Sequence, residues 1–114
     1  MQGRIVIALS FVALKLAAQS PVDAKLAEFR KGIDGIDRQV VELLNQRAAI
    51  VERVGNIKKQ ANLPIAAPAR EQQVLDHVAE AAKNGPLPPE TLRRIYETIL
   101  KEMRAWEASR TSPR

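Results

Sequence analysis

Between Leu26 and Ile57 the apolar residues Leu26, Phe29, Ile33, Ile36, Val40, Leu43, Ile50, Val54 and Ile57 recur at alternating spacings of three and four. Arg47 takes the one remaining place in the series. This period marks a single stripe along a continuous helix, the kind of stripe that a long helix turns toward a partner. Ser20, Pro21 and Asp23 supply a start signal: a hydroxyl N-cap, proline at the first helical position and an acid in the first turn. The stripe continues without a break to about Ala61, and Asn62, Leu63 and Pro64 stop it. A helix of about 40 residues is about 60 Å long at 1.5 Å per residue. A compact domain of about 100 residues has a radius of gyration of only about 13 Å. One copy cannot cover such a seam, so a second copy is expected to bury it, most simply in an antiparallel twofold homodimer.

The rest of the chain reads as two further helices. Pro68 opens one that runs to about Lys83, with Gly85 and Pro86 as its stop. Pro88 and Pro89 open another, with Leu92, Ile95, Tyr96, Ile99, Leu100, Met103 and Trp106 on its apolar face. No run alternates with the period of a strand, so the expected fold is all-α: one long, one short and one medium helix per chain, intertwined with a second copy. The expected domain spans 21–109, with 110–114 as a frayed tail. Gly32, Gly35 and Gly55 fall inside the long helix, where each costs roughly 1 kcal/mol relative to Ala. A close helix approach is one explanation for them.

Residues 1–20 read as a signal peptide or a flexible N-terminal extension. Arg4 precedes an apolar run from Ile5 to Leu14, and Ala17 and Ala18 offer a cut after Ala18. This pattern favours an exported or periplasmic chain over a cytoplasmic one, and the run is too short to span a bilayer as a helix.

Composition narrows the chemistry. The 114 residues include no Cys and one His, which excludes a disulfide framework and a thiolate metal site and leaves little for imidazole chemistry. A net charge of +5 suits several kinds of anion. The aromatic residues are too few and too scattered to form a stacking platform for single-stranded nucleic acid, and no glycine-rich phosphate loop is present.

The informative charge is Arg47. A guanidinium kept in an apolar seam is costly unless an anion or an acidic partner meets it, although an Arg that sends its head to the helix edge escapes that cost. Lys58 lies eleven residues further on, about three turns, so both project from one face about 16 Å apart. Arg30 sits about 25 Å before Arg47 and about 100° around the helix, so it cannot join the same small site from its own chain. An antiparallel partner can deliver it. Arg70 stands in the first turn of the second helix, where the macrodipole disfavours a cation and an anion would offset the cost. The alternative is a solvated Arg balanced by Glu71. Glu71 shares a face with Val74, Leu75 and Val78 and so points inward. Glu107 lies at the edge of the third helix's stripe, and His77 reads as a surface residue.

The order Arg30, Asp37, Arg47, Val54-Gly55, Lys58, Pro64-Ile65, Arg70-Glu71 and a last helix with Ile99-Leu100 and Glu107 resembles the all-helical AroQ-type chorismate mutases. The resemblance covers Phe29 to Glu107. It implies an intertwined homodimer of three-helix chains that needs no cofactor and no metal, and that acts on chorismate rather than on nucleic acid or a membrane. By the same resemblance, Arg47 and the partner's Arg30 bind the two substrate carboxylates. Lys58 donates to a carboxylate and to the ether oxygen, and Arg70 helps to orient the substrate. Glu71 accepts the ring hydroxyl, and Glu107 faces the ether oxygen. The implied catalytic residues are therefore Lys58, Glu107 and Arg47, with Arg30, Arg70, Glu71, Met103 and Ala67 completing the substrate pocket.

Conversion of chorismate to prephenate is a pericyclic rearrangement that needs no nucleophile. Orientation and preorganised electrostatics can supply the rate. Two positions depart from the mutase pattern: Ala67 stands where Asp is common, and Met103 where a small hydroxyl residue is frequent. Ala67-Pro68 resembles isochorismate-pyruvate lyases of the same fold, which keeps that activity as an alternative. From another class, a dimeric basic helical binding module would also be small and positively charged, but its cations would lie on solvated faces.

Overall fold

The computed structural model describes residues 20–111 and contains three helices: α1 (Pro21–Gln60), α2 (Pro68–Ala82) and α3 (Pro89–Thr111). The described residues contain no strand. The signal-peptide reading of residues 1–18 and the last three residues of the expected tail lie outside the described residues. Where 110–114 was expected to fray, α3 continues through Thr111. The Thr111 side chain is buried and its hydroxyl donates to the Glu107 carbonyl at 2.7 Å, which closes the last turn.

Both ends of α1 are built from local chemistry. The Asp23 backbone N–H donates to Ser20 Oγ at 3.1 Å, and the Ser20 N–H donates to Asp23 Oδ2 at 3.3 Å, a reciprocal cap over the first turn. At the other end Asn62 takes φ 56°. Its N–H donates to the Lys59 carbonyl at 3.2 Å, and the Leu63 N–H donates to the Lys58 carbonyl at 2.8 Å. This is a Schellman stop with Asn in the left-handed position usually held by Gly, and Pro64 then prevents resumption. α2 begins on Pro68 without a side-chain cap.

The chain divides into two compact parts, one of which includes residues 20–42 and the other residues 43–111. In the first, the seam is open to solvent: Phe29 is 66% and Ile33 56% exposed, and Leu26, Ile36 and Val40 are also exposed. A Cβ at Gly32 would meet nothing within 4 Å, and one at Gly35 only the Arg38 guanidinium at 3.8 Å, so no close approach among the described residues of one chain accounts for these two glycines.

In the second part, α2 packs with α3, and the last turns of α1 meet α3. The inward face of α1 is Leu44, Ala48, Val51, Gly55 and Lys58, whereas the seam residues Leu43, Ile50, Val54 and Ile57 stay exposed. The helix thus carries a second stripe rotated from the first. Gly55 is its closest point, since a Cβ there would lie 2.7 Å from both Glu107 Cγ and Thr111 Cγ2. The Trp106 indole N–H donates to the Ala48 carbonyl at 3.1 Å, and Arg110 lies over the Trp106 ring while reaching Glu52 at 3.4 Å. Arg93 of α3 meets Asp76 of α2 at 3.1 Å. The Gln72 amide, which also donates to Asp76, and the Arg93 guanidinium hold the Asp76 carboxyl below its ordinary value of 3.8. Leu100 and Ala82 are the buried apolar side chains. Among the described residues no helix is long and apolar enough to cross a membrane.

Candidate active site

The second part encloses a cavity of about 320 Å³. Its apolar lining comes from Ile50, Val51 and Val54 of α1, Val74 of α2, and Leu100 and Met103 of α3, with Ile65 and Ala67 from the connection between α1 and α2. Six charged side chains line the same space: Arg47, Lys58, Arg70 and Arg104 against Glu71 and Glu107. Cations outnumber carboxylates by two around this mostly apolar volume, which gives it a net positive field.

Lys58 is anchored by the stop that ends α1. The chain reversal at Asn62 brings the Ile65 carbonyl back over the helix, where it accepts from Lys58 Nζ at 2.8 Å. The same ammonium donates to Glu107 Oε1 and Oε2 at 3.3 and 3.4 Å. Glu107 is only 4% exposed, and its placement depends on the missing side chain at Gly55. The two groups expected to face the ether oxygen therefore face one another here, with the lysine donating and the carboxylate accepting.

Glu71 points into the cavity, on the same half-buried face as Val74, Leu75 and Val78. Its partner is Arg104 of α3, which donates from Nη1 to Glu71 Oε1. The alternative in which Glu71 balances Arg70 is therefore corrected: Arg70 donates instead to Gln73 Oε1 at 3.4 Å on the exposed side of α2. The cause is direction, because adjacent residues on a helix do not face each other whereas Arg104 reaches across from the neighbouring helix. Arg47 is half-buried, and among the described residues no carboxylate pairs with it.

Of the residues singled out from the sequence, Arg47, Lys58, Ala67, Arg70, Glu71, Met103 and Glu107 all line this one cavity. Arg30 lies in the other compact part of the chain and is exposed, as is His77 on α2. Sequence reasoning missed Arg104 and the Ile65 carbonyl. Arg104 did carry a signal: Leu100, Arg104, Glu107 and Thr111 follow spacings of four, three and four, a stripe offset from the apolar one. The carbonyl had none, because only the chain reversal places it.

The described residues thus form an all-helical frame in which four cations and two carboxylates from three helices line one cavity. The family model for chorismate mutase type II matches residues 29–108, and the chain belongs to that family. It is 42% identical over 79 residues to a bifunctional chorismate mutase/prephenate dehydratase of Aquifex aeolicus, covering 67% of this chain and 22% of that protein. The chain thus spans about a fifth of the length of that relative. It is 31% identical to a chorismate mutase of Methanocaldococcus jannaschii over 71% of this chain and 82% of that one. Among solved structures, a chorismate mutase of Thermus thermophilus (form II) aligns with a TM-score of 0.69 at 30% identity, covering 73% of this chain and 93% of the other.

Proposed function

We propose that this chain catalyses the rearrangement of chorismate to prephenate, as a homodimer in which each site takes Arg30 from the partner. The observation that carries this reading is Arg47: a half-buried guanidinium that no carboxylate among the described residues neutralises, on the wall of a cavity it shares with the Lys58 and Glu107 pair. An uncompensated charge there is costly until an anion arrives, and a substrate carboxylate meets the guanidinium bidentately. The partner's Arg30 takes the second carboxylate. Together they hold the flexible dianion in its reactive chair, which removes most of the entropic part of the barrier.

The chemical step breaks the ether C–O bond as a new C–C bond forms, and no atom is exchanged with the protein. Charge grows on the ether oxygen in the transition state. Lys58, fixed by the Ile65 carbonyl and by Glu107, donates to that oxygen. Glu71 accepts from the ring hydroxyl. Val51, Val54, Val74 and Leu100 supply the apolar wall against which the reacting carbons lie.

The test is the loss of chorismate absorbance with product identification, with isochorismate run in parallel. Prephenate formation is expected, and Arg47→Ala is expected to reduce kcat/KM about 100-fold or more while helix content stays unchanged. Pyruvate and salicylate from isochorismate, without prephenate from chorismate, would replace this reading with the lyase that Ala67-Pro68 resembles.

A further inference from the structure

The site chemistry described so far has no use for Arg104, yet Arg104 is the residue that holds Glu71. Both line the cavity, the Glu71 side chain 23% and the Arg104 side chain 42% exposed. The pairing engages Glu71 Oε1 and leaves Oε2 with no protein donor among the described residues. Two physical consequences follow. The carboxylate has one orientation and a single oxygen to offer. Its charge is also balanced, so it accepts a hydrogen bond from a neutral donor without also acting as a naked counter-ion for a cation.

We propose that Arg104 is a positioning residue that sets the pocket's preference for a neutral hydroxyl over a protonated amine on the substrate ring, by orienting and neutralising the Glu71 carboxylate. The inference rests on the mutase reading and on Glu71 facing the ring substituent. A ring ammonium entering this site meets a carboxylate already paired and a guanidinium beside it. A hydroxyl meets an oriented acceptor and suffers no such repulsion. Loss of the guanidinium reverses the balance: the freed carboxylate loses its fixed rotamer, which weakens hydroxyl recognition, and gains a full charge, which attracts the amine.

The experiment compares kcat/KM for chorismate and for its 4-amino-4-deoxy analogue in the wild-type chain, Arg104→Met and Arg104→Lys. Arg104→Met keeps the length of the side chain on a half-exposed position and removes the charge. It is expected to raise the amine-to-hydroxyl ratio by about two- to fivefold, the scale of a partly exposed ion pair. Arg104→Lys is expected to return the ratio toward wild type. In a Glu71→Gln background the Arg104→Met change should leave the ratio unmoved, because the effect runs through that carboxylate. A purely structural Arg104 lowers both activities in parallel with the ratio constant, and that result overturns the proposal while leaving the mutase reading intact. A wild-type chain that converts neither compound overturns both.

Discussion

Glu107 is nearly enclosed, and within hydrogen-bonding distance its carboxylate meets only the Lys58 ammonium among the described residues. The other charged groups around the same cavity are Arg47 of α1, Arg70 and Glu71 of α2, and Arg104 of α3. Glu107 and the Ile65 carbonyl together hold the Lys58 ammonium toward the cavity. Glu107→Gln keeps an acceptor for that ammonium and is expected to retain most of kcat/KM, whereas Glu107→Ala removes it and is expected to lower kcat/KM by about 100-fold. Steady-state kinetics on both variants check this, and an equal loss in the two removes Glu107 from the positioning of Lys58. Position 107 and its neighbours were visible in the sequence as a stripe edge and a family position. The pairing with Lys58 was not, because it joins residues 49 apart through a close approach that no local pattern encodes.

The close approach belongs to the level of the elements, and Gly55 makes it possible. Glycine inside a helix is unfavourable by about 1 kcal/mol relative to Ala, so Gly55→Ala gains that much locally. The new methyl would stand 2.7 Å from Glu107 Cγ and Thr111 Cγ2, atoms near the α3 backbone that cannot swing aside as a side-chain tip can. Overpacking of this kind costs about 1–3 kcal/mol, and relief requires α3 to move away from α1. Gly55→Ala is expected to destabilise the fold by about 1 kcal/mol in denaturant titration. It is also expected to lower kcat more than a Gly32→Ala change, where the added Cβ meets nothing. The sequence showed three unexplained glycines in one helix. Only the packed helices separate Gly55, which a neighbouring helix of the same chain requires, from Gly32 and Gly35, which no contact among the described residues of one chain requires. The Trp106 and Arg110 contacts on Ala48 and Glu52 brace the same junction one to two turns earlier on α1.

For the whole molecule, the exposed seam on α1 is the unfinished surface. Leu26, Phe29, Ile33, Ile36 and Val40 leave a contiguous apolar strip in water, the kind of patch that marks an interaction surface. In the homodimer proposed above, a second copy takes this strip out of water and the partner's Arg30 completes the site. Sedimentation equilibrium is expected to return twice 12.6 kDa. The sharper check is complementation: Arg30→Ala and Arg47→Ala are each expected to be nearly inactive alone. Mixed and allowed to exchange, they should recover about a quarter of wild-type activity, because half of a random mixture is heterodimer with one intact site. Absence of recovery after demonstrated exchange would place Arg30 outside the site.

The sequence by itself determined the three helices, their boundaries to within a residue or two, and most of the cavity's charged lining. Those features rest on caps, prolines and periodicity, which act over one or two turns of chain. Tertiary structure alone decided which carboxylate each cation meets. Glu71 pairs with Arg104 rather than with adjacent Arg70, and Lys58 is held by the Ile65 carbonyl and Glu107. Side chains on neighbouring helices find one another by the direction in which each helix faces and the distance at which the helices pack. That distance is set by a single absent methyl group at Gly55.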